Sequence, residues 1–395
     1  MNKIATLKDQ NILFLQGPMG RFFRDLSHAF QKKGANTFTI GFNMGDYFFA
    51  DKANFTAFKD TPEAWTNFIR KFLIKHKIDK IFLFGDCRHY QRIAQIVAST
   101  QHIDVYVFEE GYLRPHYITL EKFGVNGFSQ LSRDADFYDM LPLTYDITPE
   151  HADTSKFQKV TSATIYYALS KIFNRKYPHY VHHRGFSPFK EFRHAIRDVW
   201  RKLLYKVTER TYLEKITHEL SKKYYFVPLQ THTDFQILQH SNYRSIEKFI
   251  IHILESFAQH APKDTYLIFK HHPVDRGKKN YTRFIKEQAN ILEIEERILS
   301  FHDVHLPSCL DNAIGTITIN STVGLSSIGH GIPTITLGES VYDIERLNNK
   351  SLGLQNFWYQ YQKPDLELYL KFKHYLIQTT QLNGSFYGKM PEELS

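Results

Sequence analysis

Asn11-Ile-Leu-Phe-Leu15 runs into Gln16-Gly17-Pro18-Met19-Gly20, and behind that loop come Phe22, Phe23, Leu26, Ala29 and Phe30 at helical spacing, closed by Gly34. A short apolar run, a glycine-containing turn and an amphipathic segment read as strand, loop and helix. The pattern then repeats. Residues 37–42 predict a strand, 65–76 a helix, 81–84 a strand stopping at Gly85-Asp86, 90–99 a helix, and 105–108 a strand ending at Glu109-Glu110-Gly111. Alternation of this kind predicts a parallel sheet wrapped by helices, with ligand loops at the carboxyl ends of the strands.

The rhythm breaks after residue 150 and resumes at 224. Residues 163–172 and 194–204 have helical patterns, with Pro178, Gly185 and Pro188 between them. Strands are then expected at 225–229, 266–270, 316–319 and 332–337, with helices at 246–260, from Thr322 onward, and at 366–379. The expected organisation is a Rossmann-like domain over 1–150, a basic helical insert over 151–223, a second Rossmann-like domain over 224–350 and a C-terminal helical segment over 351–395.

Composition supports a folded chain of this size: 395 residues, 42% hydrophobic, 23% charged and 15% aromatic, which excludes intrinsic disorder. Cys87 and Cys309 are too few for a disulfide framework or a zinc ribbon and suit a reducing cytoplasm. The N-terminal MNKIATLKDQ has no apolar stretch of signal-peptide length, and no run approaches the roughly 18–20 residues of a membrane span. The net charge of +9 is local. Residues 154–223 carry 16 Lys or Arg against 5 Asp or Glu, a surplus of 11, which leaves the remainder of the chain near −2. Such a patch attracts phosphate-rich partners: nucleic acid, anionic lipid or a nucleotide-linked substrate. Within it, Arg193, Arg197 and Arg201 share one helical face while Phe192, Ile196, Val199 and Leu203 share another. The apolar face is expected against the core and the basic face toward an anionic membrane surface.

Three loops at strand ends carry the candidate chemistry. In Glu109-Glu110-Gly111-Tyr112-Leu113-Arg114 two carboxylates precede a glycine that lets the chain turn sharply. A carboxylate placed so can act as base or as nucleophile toward a glycosyl carbon; an acidic cap is the structural alternative. Lys270-His271-His272-Pro273 offers cations and imidazoles to a phosphate. Adjacent histidines on a strand cannot easily share one metal ion, and no HExxH or Cys partners accompany them. Asn320-Ser321-Thr322 lies at a strand-to-helix junction, where exposed N–H groups form an anion site or where the hydroxyls simply cap the helix.

In this order the loops resemble the D/E-D/E-G, HP and S/T signatures of bacterial transferases that use CMP-activated acidic sugars. Longer stretches sharpen the likeness. Leu15-Gln-Gly-Pro-Met-Gly-Arg-Phe-Phe23, Phe108-Glu-Glu-Gly-Tyr-Leu-Arg-Pro-His116, Gly127-Phe-Ser-Gln-Leu131, Pro228-Leu-Gln-Thr-His-Thr-Asp234, Phe269-Lys-His-His-Pro273 and Asn320-Ser-Thr-Val-Gly324 resemble the KpsS/LipB family of capsule polysaccharide proteins, from about residue 15 to residue 358. One departure is visible: related modules often carry Asp before the glycine, where this chain has Glu110.

The resemblance implies a GT-B-like pair of Rossmann-type domains facing a cleft, and a retaining β-Kdo transferase. Such an enzyme takes Kdo from CMP-Kdo to a phosphatidylglycerol-type lipid, starting the poly-Kdo linker of a capsule. It also implies a cytoplasmic protein, peripheral on the inner face of the inner membrane, with other capsule biosynthesis and export proteins as partners and no nucleic acid. On this reading Glu110 is the nucleophile and Glu109 the supporting or alternative carboxylate. His272, Ser321 and Thr322 meet the CMP phosphate, with Lys270, His271 and Asn320 nearby, and Gln16, Gly17, Arg114, Thr231, His232 and Asp234 line the donor or acceptor cleft. Asp134-Ala135-Asp136 follows no clear strand, so metal-independent chemistry with no cofactor is expected. A non-catalytic lipid- or polysaccharide-binding component of the export machinery is the rival class, and release of CMP from CMP-Kdo separates the two.

Overall fold

The computed structural model describes residues 4, 7–143, 149–152, 154–180, 188–232 and 235–395. The chain opens in alternation: β1 (Asn11–Leu15), α1 (Phe22–Lys32), β2 (Asn36–Gly41), α2 (Met44–Phe49), β3 (Phe55–Ala57), α3 (Trp65–Lys75), β4 (Lys80–Phe84), α4 (His89–Ser99), β5 (Asp104–Glu110) and β6 (Tyr117–Lys122). Helices α5 (Ala135–Asp139), α6 (Lys156–Ile172), α7 (Pro188–Thr208) and α8 (Arg210–Thr217) follow. Then come β7 (Tyr224–Pro228), α9 (Phe235–His240), α10 (Ile246–His260), β8 (Tyr266–Lys270), α11 (Thr282–Ile291), β9 (Ile298–Phe301), α12 (Leu306–Asp311), β10 (Gly315–Thr318), α13 (Thr322–Gly329), β11 (Thr334–Thr336), α14 (Gly353–Gln360), α15 (Leu366–Thr379) and β12 (Gln381–Asn383).

The chain divides into two compact α/β units. Unit one comprises residues 1–130, 146–186 and 374–395, and unit two residues 131–145 and 187–373. The sheet of unit one has the order β12-β6-β5-β4-β1-β2-β3, and that of unit two β11-β10-β7-β8-β9. Strands β1 to β5 pair in parallel, as do all the strands of unit two. Parallel strands are covered on both faces and so read as nearly continuous apolar runs. Ile12, Leu13, Phe14 and Leu15 are all fully buried, with Leu13 and Leu15 packing toward α3 and α4 while Ile12 and Phe14 pack toward α1. Much of the second layer is aromatic: Phe14 stands 5.3 Å from Phe23 and 5.4 Å from Phe82, and Phe22 meets Phe108 and Phe386 edge to face.

Unit one departs from the expected all-parallel sheet at one edge. β6 runs antiparallel to β5, and β12 antiparallel to β6 with Leu382 opposite Ile118. Pairing with β6 also carries β5 two residues past its expected end, so that Glu109 and Glu110 belong to the strand, opposite Thr119 and Ile118.

The domain boundaries differ from those expected. The basic segment does not form a body of its own: α6 belongs to unit one and α7 and α8 to unit two. In α6, Tyr166 donates from its hydroxyl to Asp46 at 2.8 Å and accepts from Asn43 at 2.7 Å, tying the helix to the start of α2. The C-terminal segment is divided as well, because β12 completes the sheet of unit one. Residues 131–145 belong to unit two, where Tyr138 packs edge to face on Phe372 and Arg346 pairs with Asp139 at 2.7 Å.

Helix α7 lies the opposite way round from expectation. Arg197 donates from Nε to the carbonyl of Gly277 at 2.5 Å and from its Nη2 to that of Lys278 at 3.1 Å, and Arg201 donates to that of Arg276 at 2.7 Å. The arginines therefore face inward and satisfy carbonyls of a loop, while Ile196, Val199 and Leu203 are exposed. The side chain of Phe192 lies outside the described residues.

Candidate functional site

The expected site residues stand at the carboxyl ends of parallel strands within each unit, where open α/β sheets place their ligand loops. In unit one, Glu109 and Glu110 are consecutive residues of β5 and leave the sheet on opposite faces. Glu109 shares its face with Val105 and Val107, above α4, and Glu110 shares the face of Tyr106 and Phe108. The Glu109 carboxylate accepts the N–H of Glu110 at 3.0 Å, and burial pushes its pKa up to about 7 against the pull of that bond and of Arg88. Glu110 meets the Lys159 ammonium of α6 at 3.3 Å, with both side chains over two-fifths exposed. The following glycine is fixed by packing, since a Cβ on Gly111 would lie 2.1 Å from the carbonyl oxygen of Tyr117. Arg114 is exposed and donates from Nε to the Gly111 carbonyl at 3.2 Å, closing its own turn.

Gln16 and Gly17 do not form an open acceptor wall. Gln16, in the left-handed region at φ 37, is buried, and its Nε2 faces Asp46 at 3.2 Å, the Tyr166 hydroxyl at 3.3 Å and the Tyr180 hydroxyl at 3.1 Å. Its Oε1 accepts from Gln91 at 3.1 Å. A Cβ on Gly17 would lie 2.7 Å from the Phe23 ring. The cavity these residues share with Asp46 and Tyr166 has about 30 Å³, room for a water and none for a sugar. Burial pushes the Asp46 carboxyl up to about 6, opposed by the Phe42 N–H and the Tyr166 and Gln16 side chains. This cluster anchors α6 to the sheet.

In unit two, Lys270 and His271 are likewise turned inward. Lys270 donates to the carbonyl of His302 at 2.6 Å, and its burial lowers its pKa. His271 Nε2 accepts the N–H of Tyr281 at 2.9 Å, which leaves Nδ1 to donate to the carbonyl of Phe301 at 3.1 Å. Burial, helped by the neighbouring His302, lowers its pKa to about 3, so the ring is neutral. It stacks on His302 at 4.0 Å. Both side chains are occupied in holding the fold, and the expectation that they lie at a phosphate fails for that reason.

What faces the ends of β7, β8 and β10 is a different set. His272 is partly exposed and its Nδ1 accepts the N–H of Val274 at 3.2 Å, capping the turn Pro273–Asp275. Ser321 Oγ accepts the N–H of Val323 at 3.2 Å as the N-cap of α13, and the Tyr342 hydroxyl donates to the Ser321 carbonyl. Thr322 opens the helix. Asn320 and Gln230 pair through their side chains at 3.0 Å, joining the loops after β10 and β7. Thr231 is partly exposed beside them. Asp275, nearly fully buried, accepts the backbone N–H of His232 at 2.8 Å and its Nδ1 at 2.7 Å. That leaves the His232 Nε2 side of the ring, on a side chain 32% exposed, to meet a ligand. Asp234 lies outside the described residues. Asp275 and Gln230 were missed in the sequence because their partners are 43 and 90 residues away. Asp134 accepts the N–H of Asp136 at 3.0 Å as the N-cap of α5.

No helix among the described residues is long and apolar enough to cross a membrane. Residues 79–387 match the family described as capsule polysaccharide biosynthesis protein. Among individual proteins, the chain is 39% identical over 381 residues to the capsule polysaccharide export protein KpsS of Escherichia coli, covering 96% of this chain and 98% of that protein. It is 37% identical over 394 residues to the capsule polysaccharide modification protein LipB of Neisseria meningitidis serogroup A, covering 96% and 92%. Among solved structures, the β-Kdo 2,7 transferase KpsC of Thermosulfurimonas dismutans is similar with a TM-score of 0.39 at 13% identity, covering 92% of this chain and 89% of that one.

Proposed function

The chain belongs to the capsule polysaccharide biosynthesis family, and from that premise we propose that it is a retaining glycosyltransferase that moves Kdo from CMP-Kdo to a phosphatidylglycerol-type lipid, starting the poly-Kdo linker of a capsule. The observation that carries the reading is Glu110, an accessible carboxylate at the carboxyl end of β5, ion-paired to Lys159. Retention calls for two displacements. A Glu110 oxygen bonds to the anomeric carbon as the bond from that carbon to the CMP phosphate breaks. The acceptor hydroxyl then attacks the same carbon, forming the new glycosidic bond as the bond to Glu110 breaks, with the carboxylate released and the hydroxyl proton passing to water. Glu109, folded onto its own backbone and leaving β5 on the opposite face, is a supporting carboxylate at the strand end and does not reach the carbon that Glu110 attacks.

The departing phosphate needs stabilisation in the transition state. The groups of unit two whose chemistry suits a nucleotide phosphate are the N-terminus of α13 with Ser321 and Thr322, His272, and the His232 ring held by Asp275. These groups supply the positive field without a divalent ion, so turnover in excess chelator is expected to match turnover without it. The protein works at the inner face of the membrane that holds its acceptor. Incubation with CMP-Kdo and phosphatidylglycerol tests the proposal: an enzyme releases CMP and forms a Kdo-lipid of retained configuration. A binding component of the export machinery would bind lipid and release no CMP.

A further inference from the structure

We infer that the outward face of α7 is a docking surface for an anionic phospholipid bilayer. The inference deepens the lipid-acceptor reading above and rests on it for its purpose, although the surface itself is defined by the fold of unit two. Ile196, Val199, Trp200, Leu203 and Val207 are 55%, 61%, 60%, 64% and 75% exposed, the last two more so than the first. Their spacing places them on one stripe, about 17 Å long at 1.5 Å per residue. An exposed apolar stripe of this size needs an occupant.

The helix cannot hide the stripe by rolling over. Its opposite face is fixed by the three arginine bonds to the carbonyls of residues 276–278, and Tyr205 on that face is buried against His302 at 4.0 Å. Exposed Arg193, Lys202 and Lys206 flank the stripe, and the helix carries six Lys or Arg against Glu191 and Asp198. A second copy docking through the same face would bring these cations together, whereas an anionic surface complements them. Apolar side chains framed by cations, with a tryptophan among them, are what a helix lying in the headgroup region presents. Beneath the helix is the loop that carries His272 and Asp275, so docking would leave the thickness of α7 between the bilayer and the element that holds His232.

The molecule contains its own reporter. Of its tryptophans, Trp65 and Trp358 are fully buried and Trp200 is 60% exposed, so a change in emission on adding lipid reads Trp200. With vesicles of phosphatidylglycerol and phosphatidylcholine, Trp200 emission shifts to the blue and the protein sediments; with phosphatidylcholine alone both effects are weak, and salt reduces them. Ile196→Gln, Leu203→Gln and Val207→Gln together lower vesicle affinity by about tenfold or more, with unchanged melting temperature and unchanged CMP release on a short-chain, soluble phosphatidylglycerol. Equal sedimentation of wild type and triple variant, or an unshifted Trp200 emission, overturns the inference. So does a wild-type dimer that the triple variant converts to monomer, which would assign the face to a second copy. If wild type releases no CMP with any acceptor, the transfer reading fails, and the vesicle measurements still decide the surface.

Discussion

The buried carboxylate of Asp275 holds His232 twice, accepting its backbone N–H at 2.8 Å and its ring Nδ1 at 2.7 Å. The two residues come from the loops after neighbouring strands β8 and β7, so the pair staples one loop to the other while turning Nε2 outward. If Asp275 acts through His232, the two residues form one unit and their losses are not additive. His232→Ala and Asp275→Asn should each weaken CMP binding by about tenfold, roughly the worth of one charge-assisted hydrogen bond, and the double variant should bind no worse than His232→Ala. Calorimetry with CMP measures this. Additive losses would mean that Asp275 stabilises the loop without orienting the ring.

Glu110 is expected to be indispensable and Lys159 only supportive. Glu110→Gln replaces the carboxylate nucleophile by an amide that cannot form the glycosyl ester and should lower turnover on the order of 10³-fold with normal folding. Lys159→Gln breaks a solvent-exposed ion pair worth about 1 kcal/mol or less, so its effect on turnover should stay within about tenfold. Near wild-type turnover in Glu110→Gln would remove Glu110 from the reaction.

The raised pKa of Glu109 makes a prediction about stability with a definite sign. Its carboxyl ionises near 4.5 in the unfolded chain and near about 7 in the fold. Between those values the folded protein holds the extra proton, so this group's contribution is fully present below about pH 4.5 and is lost as pH rises through about 7. Glu109→Gln keeps an oxygen for the Glu110 N–H and cannot ionise. Its melting temperature relative to wild type should therefore climb as pH rises from 5 to 8. A difference that stays constant over that interval would show that Glu109 does not titrate there.

The strand-loop-helix rhythm was legible because parallel strands are buried on both faces, and Ile12 to Leu15 or Ile81 to Phe84 therefore appear as bare apolar runs. Three-residue β12 has no such run, and its place beside β6 depends on a contact across more than 260 residues. Helical spacing correctly separated the arginines of α7 from its apolar residues. Spacing cannot say which face turns inward, and the backbone carbonyls of Arg276, Gly277 and Lys278, which decide it, leave no trace in side-chain pattern. Similarly, Lys270-His271-His272 reads as three equal donors, but the carbonyls of His302 and Phe301 hold the first two inside. Glu109 and Glu110 read as a pair for the same reason, until the pleat sends them to opposite faces.

Gly277 and Gly20 look alike in the sequence, each a glycine in a loop at a strand end, and the structure predicts opposite outcomes for them. A Cβ on Gly277 would fall 2.3 Å from the His194 carbonyl oxygen and 3.1 Å from the Asp198 Cβ, both on α7. Helix backbone cannot yield as a long side chain would, so the loop must move away and lengthen the bonds from Arg197 and Arg201. At Gly20 the nearest atom to an added Cβ is the Tyr387 ring at 3.5 Å, an ordinary contact. Gly277→Ala should lose about 1–3 kcal/mol in urea unfolding, in the range of overpacked sites, and should weaken CMP binding because the same loop carries Asp275. Gly20→Ala should stay within about 0.5 kcal/mol of wild type. Equal stability of the two variants would mean that the loop is not clamped under α7, and the inward orientation of Arg197 and Arg201 would fall with it.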